Sequence, residues 1–283
     1  MLTRIISGIV MSVGIFALLF LCSWHYFALF IALVAIIGQD EFQRMSCPDR
    51  KLGSRLFLGI ITTLLALSPL ITLLNLPNLL YPTLISALWT VSFLMIAGKH
   101  LLNPLPLQES AKRVGVDILG VVYLGATLPG ILGLRLIDLE HGWSWVVLSM
   151  LITFGGDTGG YFAGRAIGGK IFGTKRLAPQ LSPKKTWEGY IGGVLLGTAG
   201  AFFAQSQLQG CSVLTSIDCI ILGLVGVTLG VAGDLFESMM KRSAGVKDSG
   251  TLIPGHGGIL DRVDALLFVS PVLYLYLMIR LSS

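Results

Sequence analysis

The sequence predicts an all-α fold, a polytopic helical membrane protein with about nine transmembrane helices. Three observations predict it. Of 283 residues, 54% are hydrophobic and only 12% charged, with a mean hydropathy of +0.81, outside the range of soluble domains. The apolar runs are long enough to cross a hydrocarbon core of ~30 Å. They are also continuous, without the alternation of barrel strands, and backbone polar groups in lipid must then be satisfied within helices.

The first run, Ile5 to Leu21, follows Arg4 but ends without a small-residue cleavage site, and the next run begins almost at once. It is therefore read as a retained span and not as a cleaved signal. The second, Trp24 to Ile37, is short and leans on the first. Leu56 to Leu74, Leu79 to Ala97 and Val114 to Leu134 complete an N-terminal group within residues 1–140. Residues 141–283 carry Trp143 to Gly164, Trp187 to Gln205, Ile217 to Lys241 and Val263 to Met278. The whole chain is expected to form a single integral membrane domain. Cys22, Cys47, Cys211 and Cys219 form no CxxC pair, so free thiols are expected.

Lys and Arg accumulate in cytoplasmic loops, which orients the chain. With a cytoplasmic N-terminus, 18 of the 20 Lys and Arg fall inside and only Arg135 and Arg280 outside. The net charge of +5 is thus spread over helix ends, which points away from nucleic acid and toward membrane lipids and nucleotide phosphates. Arg44 to Arg55 read most simply as topological signals.

Two polar, glycine-rich segments break the apolar pattern. One runs from Gly155 to Arg165 and on through a basic loop to Ser182-Pro183-Lys184-Lys185-Thr186-Trp187-Glu188-Gly189; the other runs from Gly233 to Asp264. Ionisable groups within membrane helices are costly, so Asp157 and Asp234 are functional candidates, against the plainer reading of structural carboxylates paired with a base. At 3.6 residues per turn, Asp234, Glu237, Ser238 and Lys241 share one helix face. Gly156, Gly160, Gly164 and Gly168, and again Gly189, Gly193 and Gly197, recur at four-residue spacing, which predicts close helix packing. Gly255, Gly257 and Gly258 precede a helix, where free amides could hold a phosphate or simply make a turn.

Gathered on one side are Asp157, Asp234, Asp248, Asp261 and Asp264, with Lys184, Lys185, Lys241, Arg242, Lys247 and Arg262. Carboxylates suit a hard cation such as Mg²⁺, and the flanking bases suit the phosphates it would bridge. Phosphoryl or nucleotidyl transfer is the chemistry served best; acyl transfer is not, since no serine–histidine–acid arrangement is evident.

Ser238 to Asp264 resembles the signature of the phosphatidate cytidylyltransferase (CDP-diacylglycerol synthase) family. It reads Ser238-x-Met240-Lys241-Arg242, then Lys247-Asp248-x-Gly250, then Ile253-Pro254-x-His256-Gly257-Gly258-Ile259-x-Asp261-Arg262-Val263-Asp264. Asp157 to Arg165 and Ser182 to Gly189 are similar to the same family. Gly160 stands where alanine is expected, and Ala166 to Pro179 is longer than usual.

The resemblance implies transfer of CMP from CTP to phosphatidic acid, giving CDP-diacylglycerol and pyrophosphate for phospholipid synthesis. On that footing Asp234 and Asp261 are the foremost metal ligands, with Asp248 and Asp264 beside them. The cation is Mg²⁺, with room for a second ion. Ser182, Lys184, Lys185, Thr186, Arg242, Lys247 and Arg262 are the expected substrate-binding residues, and Lys241 and His256 join the catalytic set. His256 either hydrogen-bonds a phosphate or is a structural residue of the turn. A bacterial inner membrane with a cytoplasmic site is expected. A homodimer is left open. A CTP-using lipid kinase and a transporter are the competing readings.

Overall fold

A computed structural model describes residues 2–77, 79–102, 106–173 and 175–282. Among these are nine α-helices: α1 (Leu2–Phe20), α2 (Trp24–Ser46), α3 (Leu52–Ala66), α4 (Leu80–Leu102), α5 (Leu107–Leu136), α6 (Trp143–Ile167), α7 (Trp187–Gln207), α8 (Ser216–Ser243) and α9 (Leu260–Ser282). Each coincides with one expected span. The chain is a multi-pass membrane protein, though fewer helices than nine meet the demands of a crossing by themselves. Five do so by length and apolarity: α2, α4, α5, α8 and α9. A sixth is α3 with the 3₁₀ turn Ser68–Leu74, bent by 41° where Pro69 enters the turn. Helices α6 and α7 fall short because glycines and Asp157, Arg165 and Glu188 dilute their apolar character.

The chain divides into two compact units. The first comprises Met1–Leu132 and Asp248–Asp261; the second comprises Gly133–Lys247 and Arg262–Ser283. In the first, Leu58, Ile61 and Leu65 of α3 bury against Ile96 of α4 and Val121 of α5. These residues recur every three to four positions on α3, which is why one face is buried while Leu52, Leu56, Ile60 and Leu64 stay exposed on another.

In the second unit, α6 and α7 meet along their glycines, as the four-residue spacing predicts. A Cβ on Gly193 would stand 2.7 Å from the carbonyl oxygen of Gly156, and one on Gly189 would stand 2.8 Å from that of Gly160. Gly168 lies outside this seam, because α6 ends at Ile167 and Gly168 leaves it in an extended conformation. Since the obstructing atoms are backbone, Gly193→Ala is expected to destabilise the protein by about 1–3 kcal/mol, as overpacking does. A thermal unfolding midpoint equal to that of the parent would contradict the seam.

Two short strands interrupt the helical order where a plain loop is expected. Strands β1 (Arg176–Ala178) and β2 (Ser182–Thr186) pair antiparallel, Ala178 opposite Ser182 and Arg176 opposite Thr186. Glu188 anchors the approach to this hairpin by accepting hydrogen bonds from the amides of Gly169, Ile171 and Phe172, at 2.9, 3.1 and 3.0 Å. Helix α8 opens on a capping box between Thr215 and Asp218, with Tyr276 and Arg280 also on the Asp218 carboxylate.

Candidate active site

Within the second unit, α8 and α9 approach so closely that a Cβ on Gly233 would lie 2.5 Å from the carbonyl oxygen of Asp264. This contact sets the neighbouring carboxylates together. Asp234, Glu237 and Asp264 each offer an oxygen, all within 4.8 Å of one another. Asp234 and Glu237 are three residues apart on one turn of α8, and Asp264 comes from the first turns of α9. The side chain of Glu237 is 1% exposed, so its charge requires compensation, and Lys241 supplies it at 2.6 Å one turn on. Lys185, carried on β2, forms an ion pair with Asp234.

Beside this cluster is a cavity of about 230 Å³ whose lining includes Asp157, Lys184, Lys185, Thr186 and the glycines of the α6–α7 seam. The hairpin thus serves to bring two lysines to a wall of α6, α7 and α8. Thr186 is buried, and its Oγ1 accepts from the Gly189 amide at 3.0 Å to cap α7, so its hydroxyl holds the helix start. Ser182 opens β2, half-buried, and Ser238 is half-buried on α8. Arg242 donates to the Val246 carbonyl at 3.2 Å and closes the end of α8. Lys247, Asp248 and Arg262 are exposed.

The remaining signature residues belong to the first unit. There the Asp261 Oδ2 accepts from the Ser249 amide, the Ser249 hydroxyl and the Gly258 amide, at 2.9, 2.9 and 2.8 Å. Asp261 therefore organises its own loop, and among the described residues the clustered carboxylates are Asp234, Glu237 and Asp264. His256 Nδ1 is 2.8 Å from the Ser7 hydroxyl, which also donates to the Pro254 carbonyl. The amides expected to be open to phosphate are engaged: Gly258 bonds Asp261, while Ile259 and Leu260 donate to Glu41 at 3.0 and 3.1 Å.

Glu41 is the residue that sequence reasoning missed. It lies on α2, which runs two turns beyond the expected end at Ile37, and its carboxylate takes the place of an anion at the start of α9. No local signal marks it, because it stands four residues beyond the expected end of the apolar run, beside Gln39 and Asp40. All four cysteines are free thiols, as expected.

The model of the Cytidylyltransferase family matches residues 2–280. The phosphatidate cytidylyltransferase of Haemophilus influenzae is 35% identical over 285 residues, covering 95% of each chain. That of Pseudomonas aeruginosa is 32% identical over 282 residues, covering 95% of this chain and 94% of its own. That of Synechocystis is 33% identical over 308 residues, covering 98% and 97%.

Proposed function

Because the chain belongs to the cytidylyltransferase family, we propose that it transfers CMP from CTP to phosphatidate, forming CDP-diacylglycerol and releasing pyrophosphate. The observation that carries the reading is the carboxylate cluster of Asp234, Glu237 and Asp264 with Lys185 on one of its members. The donor set fits a hard divalent cation such as Mg²⁺, since every ligand is a carboxylate oxygen. Such an ion, when bound, neutralises phosphate charge and favours departure of pyrophosphate.

The chain's own residues supply the rest. Lys184 and Lys185 present ammonium groups to the nucleotide phosphates from the cavity wall. Glu237 pairs with Lys241 one turn along α8, and Asp157 adds a carboxylate to the cavity lining. Arg242, Lys247 and Arg262 serve as outlying phosphate contacts. A phosphate oxygen of phosphatidate attacks the α-phosphorus in line as the bond to the bridging oxygen breaks, so no covalent link to the protein forms. Asp261 and His256 act from the signature loop: Asp261 fixes its shape, and His256 hydrogen-bonds a phosphate. Residence in a bacterial inner membrane with a cytoplasmic site accords with the bacterial relatives and with the distribution of Lys and Arg.

The test is to incubate purified protein with CTP, Mg²⁺ and phosphatidate and to identify both products. Pyrophosphate and CDP-diacylglycerol are expected, turnover stops on chelation, and no label from CTP remains on the protein. Release of CDP instead would mean attack on the γ-phosphorus and would overturn the reading in favour of a lipid kinase.

A further inference from the structure

The first unit holds a polar centre of its own. Asp117 of α5 is fully buried and is contacted by Arg50, by Lys99 at 2.8 Å and by His100 at 2.9 Å. A carboxylate so placed needs one cation for neutrality, yet it gathers more, which fixes a cluster of positive charge at one end of α3, α4 and α5. Next to it opens a cavity of about 580 Å³ lined by Asp49, Arg50, Lys51, Lys99, His100 and Arg113, within the roughly 300–1,000 Å³ typical of ligand sites.

Charge counting identifies the class of ligand. The four cations Arg50, Lys51, Lys99 and Arg113 face two carboxylates, Asp49 and Asp117, leaving an excess of two positive charges with His100 neutral. Glu109 stands 3.7 Å from Arg113, but its side chain is 60% exposed and solvated. The lining also includes Gly53 in the first turn of α3, where a Cβ would meet nothing within 4 Å, so an anion can reach the backbone there. The lining includes Phe57 of α3, and the same helix carries the exposed stripe Leu52, Leu56, Ile60 and Leu64. A basic head site opening onto an apolar stripe matches an amphiphile better than a soluble anion.

We infer that this cavity is a second, non-catalytic site for the phosphate headgroup of an anionic phospholipid, with the acyl chains lying along α3. Asp117 is the positioning residue, holding Arg50 and Lys99 toward the headgroup.

The experiment uses the full chain in phosphatidylcholine nanodiscs doped with a photoactivatable phosphatidate, followed by peptide mapping of the label. Labelling of the segment 52–64 is expected, and Lys51→Gln with Lys99→Gln is expected to lower it by about tenfold or more, whereas Lys51→Arg preserves it. Lys51→Gln alone, an exposed change that leaves the Asp117 cluster intact, is expected to give a partial loss. The inference is overturned if the segment is labelled equally by a phosphatidylcholine probe, if the lysine variants label like the parent, or if millimolar inorganic phosphate displaces the lipid completely and so marks a site for soluble phosphate.

Discussion

Asp234→Asn is expected to lower CTP-dependent turnover by about 10²- to 10³-fold, in the range seen when a preorganised electrostatic contact to the reacting phosphate is removed. Asp234 is the member of the carboxylate cluster that also pairs with Lys185, so neutralising it removes a cation ligand and releases a phosphate-directed lysine together. The amide is nearly isosteric, and the side chain is partly open, so the protein should insert and purify like the parent. The measurement is initial rate against Mg²⁺ concentration: the variant should require far more Mg²⁺, and near-parental turnover at parental Mg²⁺ would refute the assignment. Asp261→Asn provides the contrast. Its carboxylate is occupied by Ser249 and Gly258, so activity should fall through loss of loop order without a change in Mg²⁺ requirement.

The second large effect is expected at Glu41. Substitution by alanine leaves the amides of Ile259 and Leu260 and the hydroxyl of Ser249 without this acceptor in a site where Glu41 is only 6% exposed. Unsatisfied buried donors cost about 1–3 kcal/mol each, although the loss is reduced where water can enter. The loop 248–261 should therefore show faster amide hydrogen exchange, with turnover reduced by at least about tenfold. Glu41→Gln retains one acceptor oxygen and should fall between the two. The tight fit reinforces the point: a Cβ on Gly258 would lie 2.4 Å from the Glu41 Oε2. If Glu41→Ala exchanges and turns over like the parent, the loop is held by something else.

Much of this was legible in the sequence, because the fold is written mainly in apolar runs. Among the described residues each of the nine runs carries a helix, and the misplacements are the ends, such as that of α2, which extends to Ser46 through polar residues that hydropathy alone cuts off, and the break of the third run at Pro69. The glycine spacing announced the α6–α7 seam because only one side-chain size permits backbone contact. Asp157 and Asp234 stood out because charge within an apolar run is costly, and Lys185 because its basic loop suits phosphate and resembles the family's segment. What escaped was pairing at long range. Glu41 meets residues more than 200 positions away, and Asp117 finds Arg50 across 67, so neither partnership leaves a local pattern. The β1–β2 hairpin escaped for the opposite reason: it is too short and too polar for an alternating pattern to register.

The glycine seam has a consequence for biogenesis. Helices α6 and α7 are less apolar than the five spans that qualify by composition, yet against one another they satisfy their close-packing surfaces and bury Gly156, Gly193 and Glu188. A nascent chain released after α6 alone would leave its glycine face unpacked, whereas release of the pair, joined by a compact hairpin, offers the translocon a unit ready to partition sideways. The order in which these two segments leave the ribosome tunnel thus becomes part of how the second unit reaches its place in the bilayer.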